Sequence, residues 1–237
     1  MTTAIKDKAV ATNAGAVPAH RPVIKVLAIG GTACKVVAGE HAAGQPDPSY
    51  FCLDTDSHKL EKCCGTHAIH LGQRLIDGLG TAGKPEVARQ AVKESQQAIR
   101  DAVASADIVL IIAGLGGGTG SGAAPAVAAM AREAGAYVVA TVTQPFGFEA
   151  AWRHKNAERA VNNLKRHVDS LLVVSLDDFA ATVKETSDSD ALDEVLDLAD
   201  RTMSRSIRAV IHVNSIDDLG ELDLPRVKPV AISARGR

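Results

Sequence analysis

Six glycines fall within the nine residues Gly114 to Gly122, and Thr119 and Ser121 interrupt them. Glycine lets a backbone take positive φ and approach a ligand with no Cβ in the way. Successive N–H groups in such a loop can wrap an anion, and a helix that follows adds its positive end. The chemistry this predicts is phosphate binding by Gly114, Gly116, Gly117, Gly118, Thr119 and Gly120. No Lys-Ser or Lys-Thr closes the run, so it is not a Walker loop. A second group, Cys63, Cys64, His67 and His70, carries metal-capable side chains, but lacks the C-x-x-C or H-x-x-x-H spacing of common zinc sites. It reads as a half-buried strand with surface histidines, and no metal is assigned. Cys34 reads as a small packed thiol, and Trp152, the only tryptophan, as a packing residue or a neighbour of bound ligand.

The elements that must hold the glycine loop are legible on both sides of it. Asp107 to Ala113 is apolar almost throughout, the pattern of a strand covered on both faces. A helix from about Ala123 to Ala134 follows. Val23 to Ile29 reads as another buried strand ending at Gly30-Gly31, with a helix over Thr32 to Ala42. Further strands are predicted at Tyr50 to Leu53, Tyr137 to Thr143 and Leu171 to Val174. Helices are predicted over Pro85 to Ala104, Ala150 to His167 and Asp190 to Val213. This alternation predicts an α/β fold: a mainly parallel, Rossmann-like sheet with helices on both faces. In such sheets ligands bind beyond the carboxyl ends of the strands.

The chain has 237 residues, a net charge of -2 and 46% hydrophobic residues, enough for one sizeable core. The near-neutral balance gives no basis for a nucleic-acid partner. No apolar run reaches the ~20 residues of a membrane span, and no secretory signal is evident. The expected location is the cytoplasm. Residues 1–21 read as a flexible tail and 22–213 as one α/β domain.

The glycine loop resembles the GGGTG[ST]G signature of the tubulin/FtsZ family. Other segments carry the same likeness. Gly78-Leu-Gly-Thr-Ala-Gly-Lys-Pro-Glu-Val87 is similar to the family's GLGAGANPEVG, Leu53-Asp-Thr-Asp56 to its NTD loop, and Thr143-Gln-Pro-Phe-Gly-Phe-Glu149 to TKPFxFE. The match looks closer to bacterial FtsZ than to tubulin. The resemblance implies GTP or GDP as ligand, with Mg2+ as a companion. Gly30 and Gly31 would form a first phosphate loop. Thr55 and Asp56 would lie near the phosphates and magnesium, and Thr81, Ala82 and Gly83 would cover the terminal phosphate. Glu149 and Arg153 match ribose-holding residues, and Asp200 matches a carboxylate that bonds guanine.

The departures shape the functional expectation. The first loop runs Gly30-Gly31-Thr32-Ala33-Cys34-Lys35 where the family has glycines and Asn. Ala33 and Cys34 limit positive φ, and Lys35 would contact phosphate as a point charge. Asp54 replaces Asn, and Leu176 stands where the family has an Asn amide at the guanine site. The family's water-activating Asn-x-Asp-x-x-Asp aligns with Glu221-Leu-Asp-Leu-Pro-Arg226, leaving Glu221 and Asp223 as the catalytic acids and Arg226 as a group that cannot accept a proton. On this resemblance 22–213 would be the nucleotide-binding domain and 214–237 a degenerate remnant of the catalytic loop, with the family's second domain, which would begin about where this chain stops, expected to be absent. The expectation is a guanine-nucleotide-binding protein with weak or no hydrolysis of its own. It would not form ordinary protofilaments alone, and could cap or modulate FtsZ-type assembly or pair with itself. The alternatives are a working GTPase and a nucleotide-free scaffold.

Overall fold

The computed structural model describes residues 22–43, 49–63, 65–180, 188–214 and 232–233. The tail at 1–21 and the loop containing Glu221, Asp223 and Arg226 lie outside them. The strands are β1 (Ile24–Ile29), β2 (Ser49–Asp54), β3 (His67–His70), β4 (Ile108–Gly114), β5 (Tyr137–Gln144), β6 (Ser170–Ser175) and β7 (Ile232–Ser233). The helices are α1 (Gly31–Ala42), α2 (Ser57–Leu60), α3 (Gln73–Ile76), α4 (Pro85–Glu94), α5 (Gln96–Val103), α6 (Gly118–Glu133), α7 (Ala151–Leu164), α8 (Leu176–Ala180) and α9 (Asp188–Asn214).

The strands form one sheet in the order β3-β2-β1-β4-β5-β6-β7, and every pairing is parallel. The expected α/β architecture is what the chain adopts. Alternation along the buried strands sorts their side chains to two cores. Leu27 and Ile29 of β1, with Val109 and Ile111 of β4, face α4 to α7. Val26, Ala28, Leu110 and Ile112 face α1 and α9, whose Met203 and Ile207 are fully buried against them. Both faces being covered explains why β1 and β4 read as continuous apolar runs.

The chain leaves β1 toward β2 and β3, and leaves β4 in the other direction toward β5 and β6. The reversal between β1 and β4 is the switch point where parallel sheets of this class open a crevice. One further tie fixes the wall of that crevice. Arg208 of α9 donates from Nε and Nη2 to the buried Glu40 carboxylate of α1, at 3.0 and 2.9 Å. This fork-to-fork geometry sets the position of α9 as well as its attraction.

Two helix expectations change. The single helix read over 85–104 is broken at Ser95. Its hydroxyl accepts from Gly72 N–H at 3.0 Å and donates to the His70 carbonyl at 3.3 Å, fastening the α4–α5 junction to the turn after β3. Second, α6 starts at Gly118, five residues before the expected Ala123. Helix propensity alone disfavours glycine, but close packing here requires it. Among 214–237, Ile232–Ser233 adds the short β7 beside β6.

Candidate functional site

The carboxyl ends of β1, β2, β4 and β5 open into one cleft of about 1010 Å3. Of the residues singled out as binding, Gly30, Gly31, Lys35, Thr55, Asp56, Thr81, Ala82, Gly83, Gly114, Gly117, Gly118, Thr119, Gly120, Glu149, Arg153 and Asp200 all line it. Gly116 does not; it serves the shape of the loop instead, turning at φ 99° and donating its N–H to the Ser121 hydroxyl at 2.8 Å.

The glycines divide by physical role. A Cβ on Gly118 would collide with the Thr81 hydroxyl and the Lys84 nitrogen, and one on Gly120 with the Gly114 carbonyl. One on Gly122 would strike the Pro85 carbonyl that opens α4. These three let α6 begin pressed against its neighbours. A Cβ on Gly117 would meet nothing, because it faces the open cleft at the N-cap of α6. Packing therefore explains half of the glycine run. Of the rest, Gly114 ends β4 and Gly116 shapes the turn, while Gly117 leaves the start of α6 uncovered by any side chain toward the cleft, the kind of helix N-terminus that binds anions.

The other loops are stitched to this one. The Thr55 and Thr119 hydroxyls hydrogen-bond at 2.8 Å, joining the β2 and β4 loops. Gly80 N–H donates to the Thr55 carbonyl at 3.1 Å. Asn156 of α7, which the sequence reading did not single out, donates its amide to the Gly83 and Gly116 carbonyls at 3.1 and 3.3 Å and so clamps two loops. Ala33 and Cys34 fit without strain. They lie in the first turn of α1, where negative φ is required, and only Gly30 carries the positive φ of 88° at the turn.

Asp54 is 1% exposed. Its Oδ1 accepts from the N–H groups of Thr55 and Asp56 at 2.7 and 3.1 Å, while Oδ2 has no partner. Burial pushes its carboxyl above the usual carboxylate range. Asp56 caps α2 by accepting from His58 N–H at 3.1 Å, and its other oxygen pairs with Lys59 at 3.3 Å. Lys59 and Lys62 both line the cleft. These cations were missed in the sequence, where isolated lysines on a four-residue helix and in the turn after it carry no signal.

Beside the Gly116 turn, Glu149 and Arg153 form an ion pair, and Glu149 also accepts from Phe146 N–H at 2.8 Å. Lys35 Nζ stands 3.3 Å from Asp200 Oδ2, so this lysine reaches across to α9. Burial raises the Asp200 carboxyl above its ordinary range, and the Lys35 ammonium opposes that shift. Leu176 is buried and lines the same end. Trp152 lies half exposed against Gly83, with the Arg153 guanidinium 5.6 Å from its ring centroid.

Residues 23–184 match the model described as Tubulin/FtsZ family, GTPase domain. An FtsZ dimer from M. jannaschii is similar at 31% identity and a TM-score of 0.78, covering 86% of this chain and 59% of that one. CetZ2 from Haloferax volcanii, solved as a GTPgS-bound protofilament, matches at 24% identity and a TM-score of 0.65, over 78% of this chain and 58% of that one. The chain thus spans less than two thirds of the length of these structures. With four strand-end loops converging at the switch point and the family match extending through them, the chain belongs to the tubulin/FtsZ family.

Proposed function

We propose that the cleft binds a guanine nucleotide, GTP or GDP, with phosphates at the α6 terminus and base at Asp200. The observation that carries this reading is the convergence of the β1, β2, β4 and β5 loops on one cleft, with the uncovered N-terminus of α6 at Gly117 and Asp200 both in its wall. Glu149 and Arg153 are suited to the ribose between them. An Asp200 carboxylate can accept from both N1–H and the exocyclic amine of guanine, and adenine has no such donor pair. The oxygens around the β2 loop fit Mg2+: a buried carboxylate oxygen of Asp54 without a partner, the Thr55 hydroxyl and the Asp56 carboxylate. Bound there, magnesium would neutralise phosphate charge and offset that of the two aspartates. Lys59 and Lys62 support the same end.

Hydrolysis by this chain is expected to be weak or absent, because Arg226 stands where the resemblance calls for an acid; Glu221 and Asp223 are what remain to position water. For assembly, the cleft's rim is informative. Leu79, Phe148, Trp152, Leu192 and Leu196 are exposed and all line the cleft, leaving only Val23 and Leu75 as exposed large apolar side chains elsewhere among the described residues. Apolar side chains gathered at a ligand mouth favour a protein partner seated over it. The partner we propose is the complementary face of an FtsZ-type subunit, so that the chain caps or modulates assembly in cytoskeletal or division biology, in the cytoplasm. A nucleotide-free scaffold has one observation in its favour: Lys35 already satisfies Asp200.

The test is light scattering and sedimentation of an FtsZ-type protein with GTP, with and without this chain. Shortened or fewer polymers at substoichiometric ratios are expected. No effect on assembly would remove the capping role, and pelleting of this chain alone as single protofilaments would remove its inability to self-assemble.

A further inference from the structure

Three thiols that look unrelated in sequence meet behind the first loop. Cys34 comes from α1, Cys52 from β2 and Cys63 from the turn after α2. All three are buried and unoxidised, at 1%, 0% and 6% exposure, and their sulfurs lie within 4.8 Å of one another. We propose that this cluster is a binding site for a soft d10 cation of the Zn(II) or Cu(I) class, held by three sulfurs.

The donor chemistry and geometry point the same way. Thiolate sulfur selects Cu(I) and Zn(II) over hard cations. With metal–sulfur bonds of about 2.3 Å, three sulfurs around one ion sit roughly 4 Å apart, so loading requires the thiols to close by less than about 1 Å. What holds them is the weak hydrogen bonding of sulfur, including bonds among the three thiols and between Cys52 and Thr66. Cys34 reaches the carbonyls of Ala28 and Leu53 at 3.6 and 3.8 Å, Cys52 that of Cys34 at 3.8 Å, and Cys63 that of Lys59 at 3.4 Å. Cys63 lines the open cleft, which provides an entry path.

Binding exchanges thiol protons for the ion: three sulfurs release three protons, and a divalent cation leaves a net charge of −1 in the cluster. Loading should therefore tighten as pH rises. The sequence reading assigned no metal because it sought ligands near in the chain, among Cys63, Cys64, His67 and His70. Among the described residues the group that assembles is Cys34, Cys52 and Cys63.

This site is independent of the nucleotide reading and is tested without nucleotide. Reduced, nucleotide-stripped protein is titrated anaerobically with Cd(II), following the ultraviolet thiolate-to-cadmium charge-transfer band. Saturation at one ion per chain is expected, with the band lost in C52S and retained in C64S. X-ray absorption on the cadmium-loaded wild type should count three sulfur neighbours, a reading that stands even if C52S fails to fold. No saturable band, a band lost in C64S but kept in C52S, or a shell of nitrogen and oxygen would each overturn the proposal.

Discussion

The two ends of the cleft are built from different materials. The end near α6 is backbone: a helix start, glycines with no room for a Cβ, and loops joined through Thr55–Thr119 and Asn156. The end near α9 is side chain: Lys35 on Asp200, with Leu176 buried against Val195 and Ala199. A backbone site tolerates little change at Gly118, Gly120 and Gly122, where any side chain adds atoms to occupied space. A side-chain site can be retuned one residue at a time, and the departures Lys35 and Leu176 fall there, while Asp54 is the departure at the phosphate end. The contrast suggests that phosphate binding is the more firmly built property and base selectivity the more adjustable one.

Experiments can break that comparison, and the largest effect belongs to the backbone end. Gly118→Val forces a side chain into Thr81 and the Lys84 backbone. It should destabilise the fold by about 1–3 kcal/mol and abolish binding of both GTP and GDP, measured by denaturant unfolding and equilibrium titration. Asp200→Ala should leave the fold intact while weakening GTP binding about 10- to 150-fold, the value of charged hydrogen bonds. If ATP then binds as well as GTP, base selection resides in Asp200.

The pH dependence sharpens the base end. Since burial holds the Asp200 carboxyl above its ordinary range, GTP affinity should fall on acidification at a higher pH than an ordinary carboxylate would give. Lys35→Ala removes the opposing ammonium and should shift that fall upward again, readable in a pH series of binding isotherms. The smallest effect concerns Asp54. A buried carboxyl with a raised pKa favours the fold fully below its unfolded value of about 3.9. That advantage is lost as pH rises through the folded value. Asp54→Asn keeps the Oδ1 acceptor and removes the charge. It should raise Tm at neutral pH and give no gain in acid, as scanning calorimetry at both pH values would show.

How much of this was readable in the sequence follows from range. The strands β1, β4 and β5 announce themselves because both faces are buried, and the glycine run because its spacing is local. Asp200 could be named only through the family likeness, since α9 otherwise reads as an ordinary amphipathic helix. Its partner Lys35 is 165 residues away, beyond any local pattern. The break at Ser95 and the clamp by Asn156 likewise depend on contacts between distant segments. The early start of α6 was hidden because helix propensity penalises the same glycines that close packing demands.

Calorimetric titration of nucleotide-stripped protein with GTP, GDP and ATP, with magnesium present, tests the central claim most directly. The account predicts saturable binding of GTP and GDP, with ATP at least about tenfold weaker, a difference of roughly 1.4 kcal/mol. Absence of binding by every nucleotide, or ATP binding as tightly as GTP, would contradict it.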